Sequence, residues 1–124
     1  MALVVADTDV LIDFLRGRPS DRLQAELALG TLATTAITVF ELLSGARGAV
    51  VEAVEILLAA VTVFDLNEAA ARRAGQIRTE LEALGSPIGT ADYLIAGVCI
   101  SRGAELLTRN TRHFERVPGL ELVE

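Results

Sequence analysis

At 124 residues, 52% of them hydrophobic and 23% charged, the chain can build one small core but not two, so a single domain over residues 1–124 is expected. The net charge of −6, with all 11 basic residues arginine, excludes a broad electrostatic nucleic-acid surface, so a polyanionic substrate would have to be held by local arginines or by a metal. A single cysteine, Cys99, excludes an internal disulfide framework, and apolar runs such as 56–63 fall short of the roughly 20 residues that span a bilayer, so a cytoplasmic protein with no membrane part is the expectation.

Residues 3–6 form an apolar run that reads as a buried strand. Thr8 or Asp9 can cap a short helix carrying Leu11, Ile12 and Leu15, which Gly17 and Pro19 end. Ser20 or Asp21 starts a second helix toward Leu29, residues 31–35 read as a strand, and Thr38 opens a helix running through Val39, Leu42 and Leu43 to Gly45. Residues 49–60 look helical and 61–64 strand-like. Asn67 then caps a long helix with apolar positions at Ala70, Ala74, Ile77, Leu81 and Leu84, stopped at Gly85. Thr90 caps a helix bearing Ala91, Leu94, Ile95 and Val98. Gly103 follows, then a strand near 105–107, a turn over 108–114 and a last strand near 120–123. Five short strands with helices between them predict an α/β fold with a mostly parallel central sheet.

Asp7 stands directly after the first strand, where a buried carboxylate is costly unless compensated, most directly by a divalent cation. In open α/β sheets, ligands bind where strands give way to helices. Glu41 is expected in the first turn of the helix after the second strand, and Asp92 in the first turn of the helix from Thr90. Oxygen ligands gathered from separate elements suit a hard divalent ion with positions left for water and phosphate. Each acid has a structural rival reading. Thr38-x-x-Glu41 fits a capping box, Asp92 fits the acidic preference of a first helical turn, and Asp9 and Asp13 fit a cap and a surface partner for Arg16. His113, the only histidine, reads as a surface or packing residue, and with no histidine–cysteine cluster a zinc site is not expected.

Four segments, 7–12 (DTDVLI), 38–45 (TVFELLSG), 90–96 (TADYLIA) and 107–114 (LTRNTRHF), resemble the successive signatures of PIN domains, and 117–122 (VPGLEL) fits as well. Their order and spacing are most similar to the VapC-type toxins of bacterial toxin–antitoxin pairs. The resemblance implies a PIN-like fold and a metal-dependent endoribonuclease with Asp7, Glu41 and Asp92 as its acidic core, Asp9 as a further metal ligand, and Mg²⁺ or Mn²⁺ as cofactor. It also implies a homodimer and a cognate antitoxin protein. Two positions depart from the pattern. Asn110 stands where many PIN domains carry a fourth acid, offering a neutral carbonyl oxygen that could orient a water, and Asp9 stands where a neutral polar residue is common.

Hydrolysis of an RNA phosphodiester is the implied chemistry, with Asn110 or a carboxylate positioning the attacking water and Arg109, Arg112 and Arg116 contacting flanking phosphates. Asp7-x-Asp9 also resembles the nucleophile and acid of haloacid-dehalogenase-type phosphatases, but that chemistry generally uses a lysine and this chain has none. A catalytically weak PIN-like binding module is the non-enzymatic alternative. The apolar helices at 10–15 and 39–43, beside Asp7 and Glu41, suggest a groove for an amphipathic antitoxin helix that extends an arginine toward the carboxylates.

Overall fold

The computed structural model describes residues 2–123. Along the chain it places β1 (Val4–Ala6), α1 (Thr8–Leu15), α2 (Asp21–Leu29), β2 (Leu32–Thr35), α3 (Ala36–Gly45) and α4 (Ala49–Ala59). These are followed by β3 (Thr62–Phe64), α5 (Glu68–Ala83), α6 (Thr90–Arg102), β4 (Glu105–Leu107) and α7 (Thr111–Phe114).

The strands form one sheet in the order β3-β2-β1-β4, and every pairing is parallel. Among the described residues the sheet has four strands, which corrects the expected five. Residues 120–123 add only an isolated bridge between Leu106 and Leu122, because the turn through Pro118 and Gly119 brings a short, mostly irregular segment beside β4 and two backbone bonds join it there.

The sheet is covered on both faces, which is why its strands read as unbroken apolar runs. Val5 lies beside Ala33 and Leu106 in the parallel register; these three face a core built with Ala74, Ile77 and Leu81 of α5 and Ile95, Val98 and Cys99 of α6. Ala6 and Leu32 face the opposite way, onto Val10 and Leu11 of α1, Leu23 of α2, Leu42 of α3, and Val54 and Leu57 of α4. At the crossing of α5 and α6, Gly97 lets the helices touch: a Cβ there would lie 2.5 Å from the Ala70 carbonyl oxygen. Cys99 sits in this core with its thiol pushed up to about 12, chiefly by burial, and so behaves as the small hydrophobe its sequence context suggests.

Helix ends follow local rules, with shifts at three starts. Ser20 caps α2 by accepting from Leu23 N at 3.1 Å, and Asn67 caps α5 by accepting from Ala70 N at 2.9 Å. Asp7, not Thr8 or Asp9, is the cap of α1. Thr35, not Thr38, caps α3, its hydroxyl accepting from Thr38 N at 3.1 Å. Gly89, not Thr90, precedes α6 and offers no side-chain cap. Gly103 ends α6 in the left-handed conformation, at φ 63°. Glu26, a buried acid outside the cleft, is a structural staple: hydrogen bonds from Thr31 and Arg22 hold its carboxyl below the usual range.

Candidate active site

The strand order reverses at β1, which pairs with β2 on one side and β4 on the other. The C-terminal ends of β1 and β4 therefore border the crevice where ligands bind in such sheets. Asp7 follows β1 and Thr108, Arg109 and Asn110 follow β4; Asp7 N donates to the Leu107 carbonyl at 2.9 Å and ties the two exits together.

Asp7 is buried at 6% exposure. Its Oδ1 accepts from Thr8 N and its Oδ2 from the Thr108 hydroxyl, each at 2.8 Å. Even so, its carboxyl is pushed up to about 6, first by burial and then by repulsion from Asp9 and Asp92, which outweigh the two hydrogen bonds. Asp9, half-buried in the first turn of α1, is also raised by burial, while Arg109 opposes the shift and Arg109 N approaches Asp9 Oδ1 at 3.5 Å. Asp92 is raised by burial and by the charges of Glu41 and Asp9, against the lowering influence of His113.

The Thr35 cap moves Glu41 into the second turn of α3, beyond the first-turn position expected of it, and removes the capping-box reading. Its Oε1 instead accepts from the Thr8 hydroxyl at 2.6 Å. Since Thr8 has one hydroxyl proton and spends it on Glu41, the contact between the Thr8 and Thr38 hydroxyls at 3.0 Å must be donated by Thr38. Thr35 stands behind Thr38 at 3.4 Å. A file of hydroxyl dipoles thus runs from the core toward one carboxylate.

Asp7, Asp9, Glu41 and Asp92 therefore share one edge of the molecule, where Asp7 feels the charges of Asp9 and Asp92, and Asp92 those of Glu41 and Asp9. Among the described residues, no three acids or imidazoles converge as tightly as a closed metal shell requires. Asp7 and Glu41 are each held by their own hydroxyl donor, Thr108 and Thr8, and the carboxylates stand apart, the spacing that like-charge repulsion favours. The donor set is nonetheless all hard oxygen, and carboxyls raised mainly by burial and further by acidic neighbours are ones whose ionised form a divalent cation would stabilise.

The basic candidates divide. Arg109 is pinned by Asp13, with Nη1 at 2.8 and 2.7 Å from the two carboxylate oxygens. Asp13 also lies 3.9 Å from Arg18, which corrects the expected pairing with Arg16. Arg116 Nη1 donates to the Pro87 carbonyl at 3.1 Å, and the Tyr93 hydroxyl accepts from Ile88 N at 3.0 Å. Those two bonds strap the loop that leads to Asp92. Arg112 is exposed, with no ion pair among the described residues. His113 is not a bystander, because its ring meets both Asn110 and Asp92. Thr8 and Thr108, absent from the sequence-based candidates, position Glu41 and Asp7; the signal available in the sequence was a hydroxyl beside each motif acid or amide.

The family model of the PIN domain matches residues 4–120. The chain is 36% identical over 126 residues to the tRNA(fMet)-specific endonuclease VapC of Shigella flexneri, covering 97% of this chain and 96% of that protein. It is also 36% identical over 118 residues to Ribonuclease VapC19 of Mycobacterium tuberculosis, with coverages of 93% and 94%. A crystal structure of DNA-bound VapBC from Salmonella typhimurium contains a chain superposing at a TM-score of 0.88 with 34% identity, over 99% of this chain and 98% of that one. The chain belongs to the PIN-domain family and, within it, to the VapC group. That membership leaves the phosphatase alternative without support.

Proposed function

We propose that the chain is a divalent-metal-dependent endoribonuclease and the toxin of a toxin–antitoxin pair. The observation that carries the reading is the desolvated Asp7 at the sheet's switch point, repelled by Asp9 and Asp92, with Glu41 acting in turn on Asp92. Relatives named as ribonucleases and as a tRNA(fMet)-specific endonuclease support RNA as the substrate class.

Asp7, Glu41 and Asp92 would hold Mg²⁺ or Mn²⁺, with Asp9 as a further ligand. When bound, such an ion polarises a scissile phosphate and lowers the pKa of a water. Thr108 and Thr8 N fix both oxygens of Asp7, and the Thr8 hydroxyl fixes Glu41, so the carboxylates are oriented before substrate arrives. Asn110 positions the attacking water. Hydrolysis then adds the water oxygen to phosphorus and breaks the bond to the leaving ribose oxygen, with no covalent enzyme intermediate. Arg112 is best placed to meet a flanking phosphate; Arg109 would first have to leave Asp13. Cleavage of RNA by the purified protein should need added Mg²⁺ or Mn²⁺ and stop with a chelator. Full activity after exhaustive metal removal would refute the proposal.

A groove of about 390 Å³ lies between α1, α3 and α4, with Ile12, Leu15, Leu42, Val50 and Val54 along it and Glu41 and Arg16 on its wall. This supports an antitoxin helix seated next to the acids, in keeping with the VapBC complexes among the solved relatives. Expression of the chain alone should arrest growth, and co-expression with the cognate antitoxin should rescue it. Partner binding without loss of cleavage would refute this role. A homodimer is part of the same reading and is checked by light scattering.

A further inference from the structure

Asn110 occupies the N-cap position of α7, where an asparagine side chain ordinarily accepts from a backbone N–H of the first turn. It makes no such bond. The backbone closes the turn instead, with His113 N and Phe114 N donating to the Asn110 carbonyl at 3.2 and 3.4 Å. The side-chain amide is turned to the imidazole: Asn110 Nδ2 lies 2.7 Å from His113 Nδ1. The same Nδ1 is 3.8 Å from Asp92 Oδ2, beyond hydrogen-bond range.

We infer that His113 is a positioning residue that fixes which way the Asn110 amide faces, so that its carbonyl oxygen is the polar group left for the acidic cleft. With Nδ2 the amide atom that meets the ring, and an amide nitrogen being a donor only, the neutral imidazole that matches it accepts at Nδ1 and carries its proton on Nε2. With Nδ2 committed to the ring, Oδ1 is the remaining acceptor, the polarity needed to orient a water or to face a cation. A reversed amide would present an NH₂ group and repel one. A carboxylate at this position would have two equivalent oxygens and need no such guide, whereas an amide has one productive orientation. The asparagine at the fourth motif thus makes His113 necessary. This inference rests on the ribonuclease reading, in which Asn110 positions water.

His113 is the only histidine in the chain, so nitrogen-15 NMR of imidazole reports on it alone. In the metal-free protein at alkaline pH, the ring should carry its proton on Nε2, with Nδ1 showing the shift of a hydrogen-bonded acceptor that N110L removes. A proton on Nδ1 overturns the inference, and this measurement on the wild type needs no variant to fold. On RNA, H113F should lose about tenfold in kcat with KM and melting temperature unchanged, the effect of one lost orienting hydrogen bond. H113Q, whose Oε1 can accept from Asn110 Nδ2, should recover most of the rate. An H113F enzyme as fast as wild type, or Phe and Gln variants equally impaired, overturns the inference and leaves the nuclease reading standing. A folded wild type inert on RNA in Mg²⁺ and Mn²⁺ overturns the nuclease reading, while the ring tautomer still decides the hydrogen bond.

Discussion

Replacing Asp7 by asparagine should abolish cleavage and yet make the metal-free protein more stable near neutral pH. The carboxyl is pushed from an ordinary 3.8 up to about 6 by burial and by neighbouring acids. A group raised in the folded state contributes stability that is fully present below its unfolded pKa and is lost as pH rises through the folded value. Near neutrality the ionised Asp7 therefore costs about 3 kcal/mol. Asparagine removes that cost while keeping the bond from Thr8 N to its Oδ1. Its Nδ2 would meet the Thr108 hydroxyl, which already accepts from Asn110 N at 3.0 Å and would have to reverse its own proton, a penalty of about 1 kcal/mol. The net gain is about 2 kcal/mol, or about 8 °C in Tm for a chain of this size. Thermal unfolding followed by circular dichroism in a chelator measures it. The gap should open between about pH 4 and pH 6, as Asp7 ionises in the wild type. Added Mg²⁺ should raise the Tm of the wild type and leave Asp7→Asn unmoved. An Asp7→Asn protein less stable than wild type near neutrality in chelator, or a gap unchanged at acidic pH, would refute the reasoning.

Thr108→Val removes one of the two bonds that favour the ionised Asp7; its carboxyl should rise further, and the acid limb of the pH–rate profile should move to higher pH with a several-fold loss of kcat. A profile unchanged from wild type would show that Thr108 does not act on Asp7. Asp13→Asn frees the exposed Arg109, whose side chain is 63% accessible; stability should fall by less than about 1 kcal/mol, with RNA cleavage retained, and a dead variant would place Asp13 in the machinery. Gly97→Ala drives a methyl to 2.5 Å from the Ala70 carbonyl oxygen and to 3.0 Å from Ala74; the α5–α6 contact should loosen by about 2–3 kcal/mol, read as a Tm drop of about 10 °C.

Local rules were enough for most of the secondary structure, because caps, glycine stops and apolar periodicity act within a few residues. Ser20, Asn67 and Gly103 do in the structure what their neighbours in sequence predict. The placements of Asp7 after an apolar run and of Asp92 in the first turn of a helix were also legible. Long-range contacts decided the rest. Two threonines, 35 and 38, could each have capped α3, and only the exit geometry of β2 selects Thr35 and turns Glu41 from a capping residue into an acceptor of the Thr8 hydroxyl, 33 positions away. Arg109 finds Asp13 across 96 positions and Thr108 finds Asp7 across 101, because parallel pairing sets β4 against β1 at the end of the chain's path. Nothing within a local window reports such a partner, since the pairing exists only once the sheet has closed and the strands' ends stand side by side.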